Sequence, residues 1–179
     1  YSEMLNSRFT TVVAAGDSDG TYSYFSTQGA NILVTAPGSS IYTTDITGGA
    51  GYSGGDYATV QGTSFSAPIT SGVVALMLEA NDGLGYRDVQ EILAYSSVQN
   101  DASSNGWEFN GASNWNGGGL HVSHDYGFGY IDATAAVRLA ETWHLAGESA
   151  QVFSNETSHV ANSGSVNASL NSNTVVDTI

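Results

Sequence analysis

The stretch VQGTSFSAP, residues 60–68, sets Thr63 and two serines, Ser64 and Ser66, between Gly62 and Pro68. A strand, a Gly-Thr turn and a helix would place Ser64 at a helix N-terminus, where unpaired N–H groups meet the positive end of the dipole. A hydroxyl held there can attack a carbonyl while its own N–H binds the developing oxyanion. Gly62 would let a substrate backbone approach closely. The plainer chemistry of the same residues is an N-cap, and from Gly62-Thr63-Ser64 alone that is the leading reading. Ser66 falls further into the helix, where a hydroxyl bonds backbone. The G-x-S-x-G elbow is not present, because Ser66 stands where the second glycine would be.

The flanking residues show how such a serine would be positioned. RFTTVVAA at 8–15 reads as a strand, and GDSDG after it as a turn. NILVTAPG at 31–38 is a short apolar run ended by Pro-Gly, as a buried parallel strand would be. Residues 39–56 read as a surface loop, and YATV as a short strand leading to Gly62. A helix runs from Ser64 to about Ala80, apolar around most of its circumference and so expected to be buried, with Pro68 near its first turn or just inside it. Asn81-Asp82-Gly83 ends it. A second helix covers 86–97, with Val89, Ile92, Leu93 and Ser96 on one face. A Trp-, Asn- and Gly-rich loop spans 101–120. A third helix runs from an Asp132 cap to Trp143, with Ala136, Leu139, Ala140 and Trp143 as its stripe. The composition then turns to Ser, Asn, Thr and Val. This divides the chain into 1–143 and a linker, 144–179, toward a further C-terminal domain.

The totals exclude several classes. The 179 residues can bury a core, and none is cysteine, which removes disulfides and thiolate chemistry. The net charge is −14, with Arg8, Arg87 and Arg138 the sole strong cations. Such a surface repels nucleic acid and anionic membrane. No apolar run approaches the ~20 residues that cross a bilayer.

APGSSIYTT, then GTSFSAPITSGVVALMLEAN, resembles the serine-bearing segment of subtilisin-like proteases. LEANDGLGYRDVQEIL and VSHDYGFGYIDATAAV are similar to the kexin and proprotein-convertase branch (peptidase family S8). The resemblance covers about residues 6–143. It implies an α/β, three-layer fold with a parallel sheet, present only in part, as the C-terminal part of a catalytic domain. It implies endoproteolysis with Ser64 as nucleophile and backbone oxyanion donor, and with Gly62, Thr63 and Pro68 as supporting motif positions. The substrate would be polypeptide. The chemistry would need no cofactor, and structural calcium would belong to the parent domain. The implied location is extracellular or periplasmic.

In this family the triad runs Asp, His, Ser along the chain. Here His121, His124, His144 and His159 all follow Ser64. His124 matches a family segment that does not hold the base, and is read as structural. The Asp, the His and the oxyanion Asn are therefore expected upstream of Tyr1, so the 179 residues alone should be inactive. Ser2 stands where convertases carry an acid that helps hold a basic P1 side chain, with Glu3 beside it, and Thr27 where they carry a calcium-ligating glutamate. A rival from another class is a degenerate, non-catalytic protease domain acting as a binding or structural module.

Smaller signals have plain readings. Asp17 and Asp19 belong to a turn, since no closing glutamate follows at EF-hand spacing. The sequons at Asn155 and Asn167 match by chance. Trp107 and Trp115 cover the edge of the core, and surface exposure or i,i+4-type pairing, for instance of Arg87 with Glu91, accounts for Arg87 and Arg138.

Overall fold

Val12–Gly16 (β1) and Ile32–Pro37 (β2) are the two short apolar runs, and they pair in parallel. Ala14, Ala15, Val34, Thr35 and Ala36 are almost fully buried, as strands covered on both faces should be. The computed structural model describes residues 3–111 and 119–144. On the other edge of β2 runs 128–131: Phe128 N–H donates to Leu33 O (2.7 Å), Thr35 N–H to Gly129 O (2.8 Å) and Ile131 N–H to Thr35 O (2.9 Å). Tyr130 also pairs with Val98. Much of the DYGFGYID motif thus serves as sheet. Gly127 (φ 62°) and Gly129 (φ 111°) sit where a Cβ would come within 2.3 Å of Leu33 O and 2.2 Å of Val98 O. No side chain fits there without moving the backbone it pairs with.

Three helices pack on this sheet and on one another. Thr63–Ala80 (α1) lies on β1, β2 and Ala133–Thr142 (α3); Tyr86–Ser96 (α2) lies on β2 and α3. Their shared core is Val34, Val73, Met77, Leu84, Ile92, Leu93, Ala136 and Ala140. Asp132 caps α3 by accepting from Ala135 N–H (2.9 Å), as the sequence predicts. Asp88, buried in α2, accepts from Gly85 N–H (2.8 Å) and from Trp143 Nε1 (2.9 Å), joining the start of α2 to the end of α3.

Some expectations need correction. Residues 39–56 are not all loop: Ile41–Thr44 (β3) pairs antiparallel with Tyr57–Val60 (β4). Its four residues are too few to show a period beside so much glycine, but Tyr42 and Tyr57 stack diagonally across the pair, with centroids 5.4 Å apart. The 101–120 loop likewise contains Glu108–Phe109 (β5), paired with His121–Val122 (β6). Helix α1 is not buried all round. Only Ser66, Thr70, Val73 and Met77 are buried, while Leu76 and Leu78 are 55% and 40% exposed. The described residues provide a partner for one of its faces. Arg87 Nε donates to Tyr86 Oη (3.1 Å), and its charge acts on Glu91 without a direct hydrogen bond. Trp107 stacks on Tyr126 at 5.2 Å, over the edge of the core. Trp115, the sequons at Asn155 and Asn167, His159 and nearly all of the expected 144–179 linker lie outside the described residues.

Candidate active site

Parallel strands β1 and β2 both end where α1 begins, and ligands of α/β folds bind outside such carboxyl ends. Three glycines draw the pieces together. Gly38 N–H donates to Gly16 O (3.0 Å), and Gly62 N–H donates to Gly38 O (2.8 Å). A Cβ on Gly38 would lie 2.5 Å from Ala15 Cβ and 2.6 Å from Ser66 Oγ, so only glycine allows the helix this close to the strand ends. Gly62 takes φ 147° and ψ 153°, conformational space that L side chains rarely adopt.

The two serines then divide. Ser66 is fully buried, and its hydroxyl bonds Ala36 O (3.2 Å) and Pro37 O (3.1 Å) at the end of β2. It pins the helix to the sheet, deepening the backbone-bonding role its position suggests. Ser64, two residues earlier, is exposed, and its hydroxyl has no hydrogen-bond partner among the described residues. Ser64 is therefore not the N-cap; Gly62 occupies that position without a side-chain bond. As the second residue of α1, Ser64 keeps an N–H that no helical carbonyl can accept. No acid stands in the first turn to offset the positive end of the dipole.

Pro68 lies just inside the helix, in its second turn. The helical bond it removes is the one Ser64 O would accept, so the ring loosens the segment that holds the serine. Pro68 and Thr63 are both exposed.

None of the described histidines approaches this turn. His124 is exposed at the other end of β2, where its backbone O accepts from Gly29 N–H (2.9 Å). It lines a shallow cleft of about 280 Å³ with Glu108, Ser123 and Asp125. Six residues of strand, about 20 Å, lie between the two ends. His121 packs edge-on to Trp107. His144 follows α3 beside the far end of α1, where Asn81 Nδ2 donates to Ala140 O (3.0 Å). Asp17 and Asp19 belong to a closed turn: Ser23 Oγ donates to Asp17 (2.6 Å), and Thr21 donates to Asp19 through its N–H and hydroxyl. The Thr21 hydroxyl bond is the main cause holding the Asp19 carboxyl below its usual range. Tyr130 donates to Asp17 O (2.8 Å), and burial pushes its phenol up to about 12. Thr27 offers one neutral oxygen where the resemblance implies a calcium-ligating glutamate, and among the described residues no three His, Asp or Glu side chains converge.

A family model described as the subtilase family matches residues 5–129. The chain belongs to the subtilase family. Furin of Rattus norvegicus is 44% identical over 82 residues, which are 46% of this subtilase chain and 10% of furin. A PC3-like endoprotease of Hydra vulgaris is 42% identical over 83 residues, 46% of this chain and 11% of that protein. These are relatives of the convertase branch to which the motifs pointed. The serine protease of Aeromonas sobria superposes with TM-score 0.66 at 28% identity, covering 75% of this chain and 30% of that one. Fervidolysin of Fervidobacterium pennivorans gives TM-score 0.55 at 25% identity, covering 73% and 19%. The chain thus has the subtilisin-like α/β fold in part, and it spans about a tenth of the curated relatives just described.

The residues whose importance the sequence hid are Gly38 and Ser66. Their signals were present as the Pro-Gly that ends β2 and a second hydroxyl two residues after Ser64. Neither shows its partner until the strand end and the helix meet.

Proposed function

We propose that Ser64 is the nucleophile of a serine endopeptidase completed by residues upstream of this chain. The observation that carries the reading is an exposed, unbonded hydroxyl with a free N–H at the positive end of α1, in a subtilase. Ser64 Oγ attacks the scissile carbonyl carbon as an upstream imidazole takes its proton. The carbonyl oxygen becomes an oxyanion, which the Ser64 N–H and an upstream Asn hold. The tetrahedral adduct collapses, the C–N bond breaks, and the imidazolium protonates the leaving amine. Water, deprotonated by the same imidazole, then releases the acid and restores the serine. An upstream Asp orients the imidazole. Gly62 keeps the approach to Ser64 free of a side chain, and Thr63 and Pro68 shape the turn. No cofactor takes part in these steps, and calcium would be structural in the completed domain.

The upstream residues would also cover the outer face of α1. Ala67, Pro68, Gly72, Ala75 and Leu76 are exposed there, with Glu79 the one charge of the helix. A helix apolar on every side belongs in an interior. The substrate is polypeptide and the setting secretory or extracellular, in keeping with family and charge. The 144–179 segment leads toward a further domain.

Treating the full-length protein with a fluorophosphonate probe tests the assignment. Labelling of the wild type and none of Ser64→Ala is expected, and the 179 residues alone should stay unlabelled. A folded full-length protein that escapes labelling would instead be a non-catalytic binding module. Turnover by the isolated chain would overturn the need for an upstream base.

A further inference from the structure

Tyr24 is 83% exposed, yet it is held firmly. It lies in the connection from β1 to β2. Ser23, just before it, is fully buried and bonds Asp17 Oδ1 (2.6 Å) and Ser39 Oγ (2.9 Å). Ser26, just after, is buried and accepts from Ala15 N–H (3.0 Å). The Phe25 ring meets the Tyr24 ring edge to face at 5.2 Å. The Tyr24 hydroxyl accepts from Gln61 Nε2 (3.0 Å). Gln61 immediately precedes Gly62, three residues before Ser64, so their Cα atoms lie within about 10 Å. A single exposed tyrosine needs no explanation. One tied by its hydroxyl to the segment that enters the nucleophile's turn, on a backbone anchored at both sides, is a pre-formed surface.

We infer that Tyr24, held by Gln61, is a specificity-determining residue that receives a large apolar or aromatic side chain of the peptide near its scissile bond. This rests on Ser64 being the nucleophile. The hydroxyl accepts from Gln61 and so fixes the ring, whose face is the large apolar surface this residue offers. A hydrocarbon or a cation can bind such a face. The adjoining Phe25 ring, edge to face with Tyr24 at 5.2 Å, extends this surface with uncharged hydrocarbon, which suits an apolar side chain.

The test uses the full-length protein and peptide substrates in which each position within three residues of the scissile bond is varied. Tyr24→Ala should lower kcat/KM about tenfold for substrates with a large apolar residue at one such position. Substrates with glycine there should be cleaved as before. Tyr24→Phe and Gln61→Ala both remove the hydrogen bond that holds the ring, and each should blunt the preference less than Tyr24→Ala does. Labelling of Ser64 by a probe too small to reach Tyr24 should proceed at the wild-type rate. Normal labelling with an unchanged profile in Tyr24→Ala would overturn the inference while leaving the nucleophile standing. So would a uniform loss on all substrates, or a selective loss on basic ones. Absence of labelling in the wild type would remove the nucleophile itself, and this inference with it.

Discussion

Two motif segments of this chain look alike as sequence: GTSFSAP at 62–68 and SHDYGFGYID at 123–132, each mixing glycine, hydroxyl and aromatic residues in close order. In space they do opposite things. The second is consumed by architecture. The backbone of Phe128, Gly129 and Ile131 pairs with β2, Tyr130 with Val98, and Thr35 Oγ1 donates to Tyr126 O (2.9 Å). The first leaves a hydroxyl and a helix N–H free, while its buried neighbour Ser66 makes the structural bonds. The difference lies in polar partners: buried polar groups are satisfied, whereas the serine proposed as nucleophile stays available.

Substitutions can break that contrast. The largest expected effect is at Ser64. Alanine there should abolish fluorophosphonate labelling yet shift stability by no more than about 0.5 kcal/mol, since an exposed, unbonded group is removed. A large drop in denaturation midpoint would mean the serine is structural after all. Gly127→Ala should do the reverse. Its Cβ would press on Leu33 O, which is fixed by Phe128 N–H, so a loss of more than about 3 kcal/mol is expected in urea unfolding. Any molecules that remain folded should still label. Ser66→Ala sharpens the comparison within one turn. It removes a buried hydroxyl bond worth about 1–2 kcal/mol and should slow labelling without ending it, because the turn loses its anchor on β2. Asp132→Ala is the smallest, about 1 kcal/mol from a lost cap, with the labelling rate unchanged.

Much of the scaffold was legible. The apolar runs of β1 and β2 and the 3.6-residue stripes of α2 and α3 carry their own period, and the Asp132 cap is a local signal. The β3–β4 and β5–β6 pairs were not legible, since two to four residues set no period and their pairing is made across the loop. The depth of burial of α1 was misread for a related reason. Composition reports that every face is apolar, whereas burial depends on which residues lie against each face, and those described here cover one. The bond from Arg87 to Tyr86 was not legible either, because helix spacing points to Glu91 and not to the adjacent side chain.

The sequence by itself pointed to Ser64 as the candidate and to the elements on which it sits. A Gly-Thr-Ser turn before a long apolar run dictates a hydroxyl near a helix start, and three motifs in order name the family. The tertiary structure decided the rest: that Ser64 faces solvent while Ser66 is anchored, that His124 stands a strand's length away, and that Tyr24 bonds Gln61 at the entry to the Ser64 turn. Local chemistry is written along the chain. Which polar atoms find partners is settled only when distant segments close on one another.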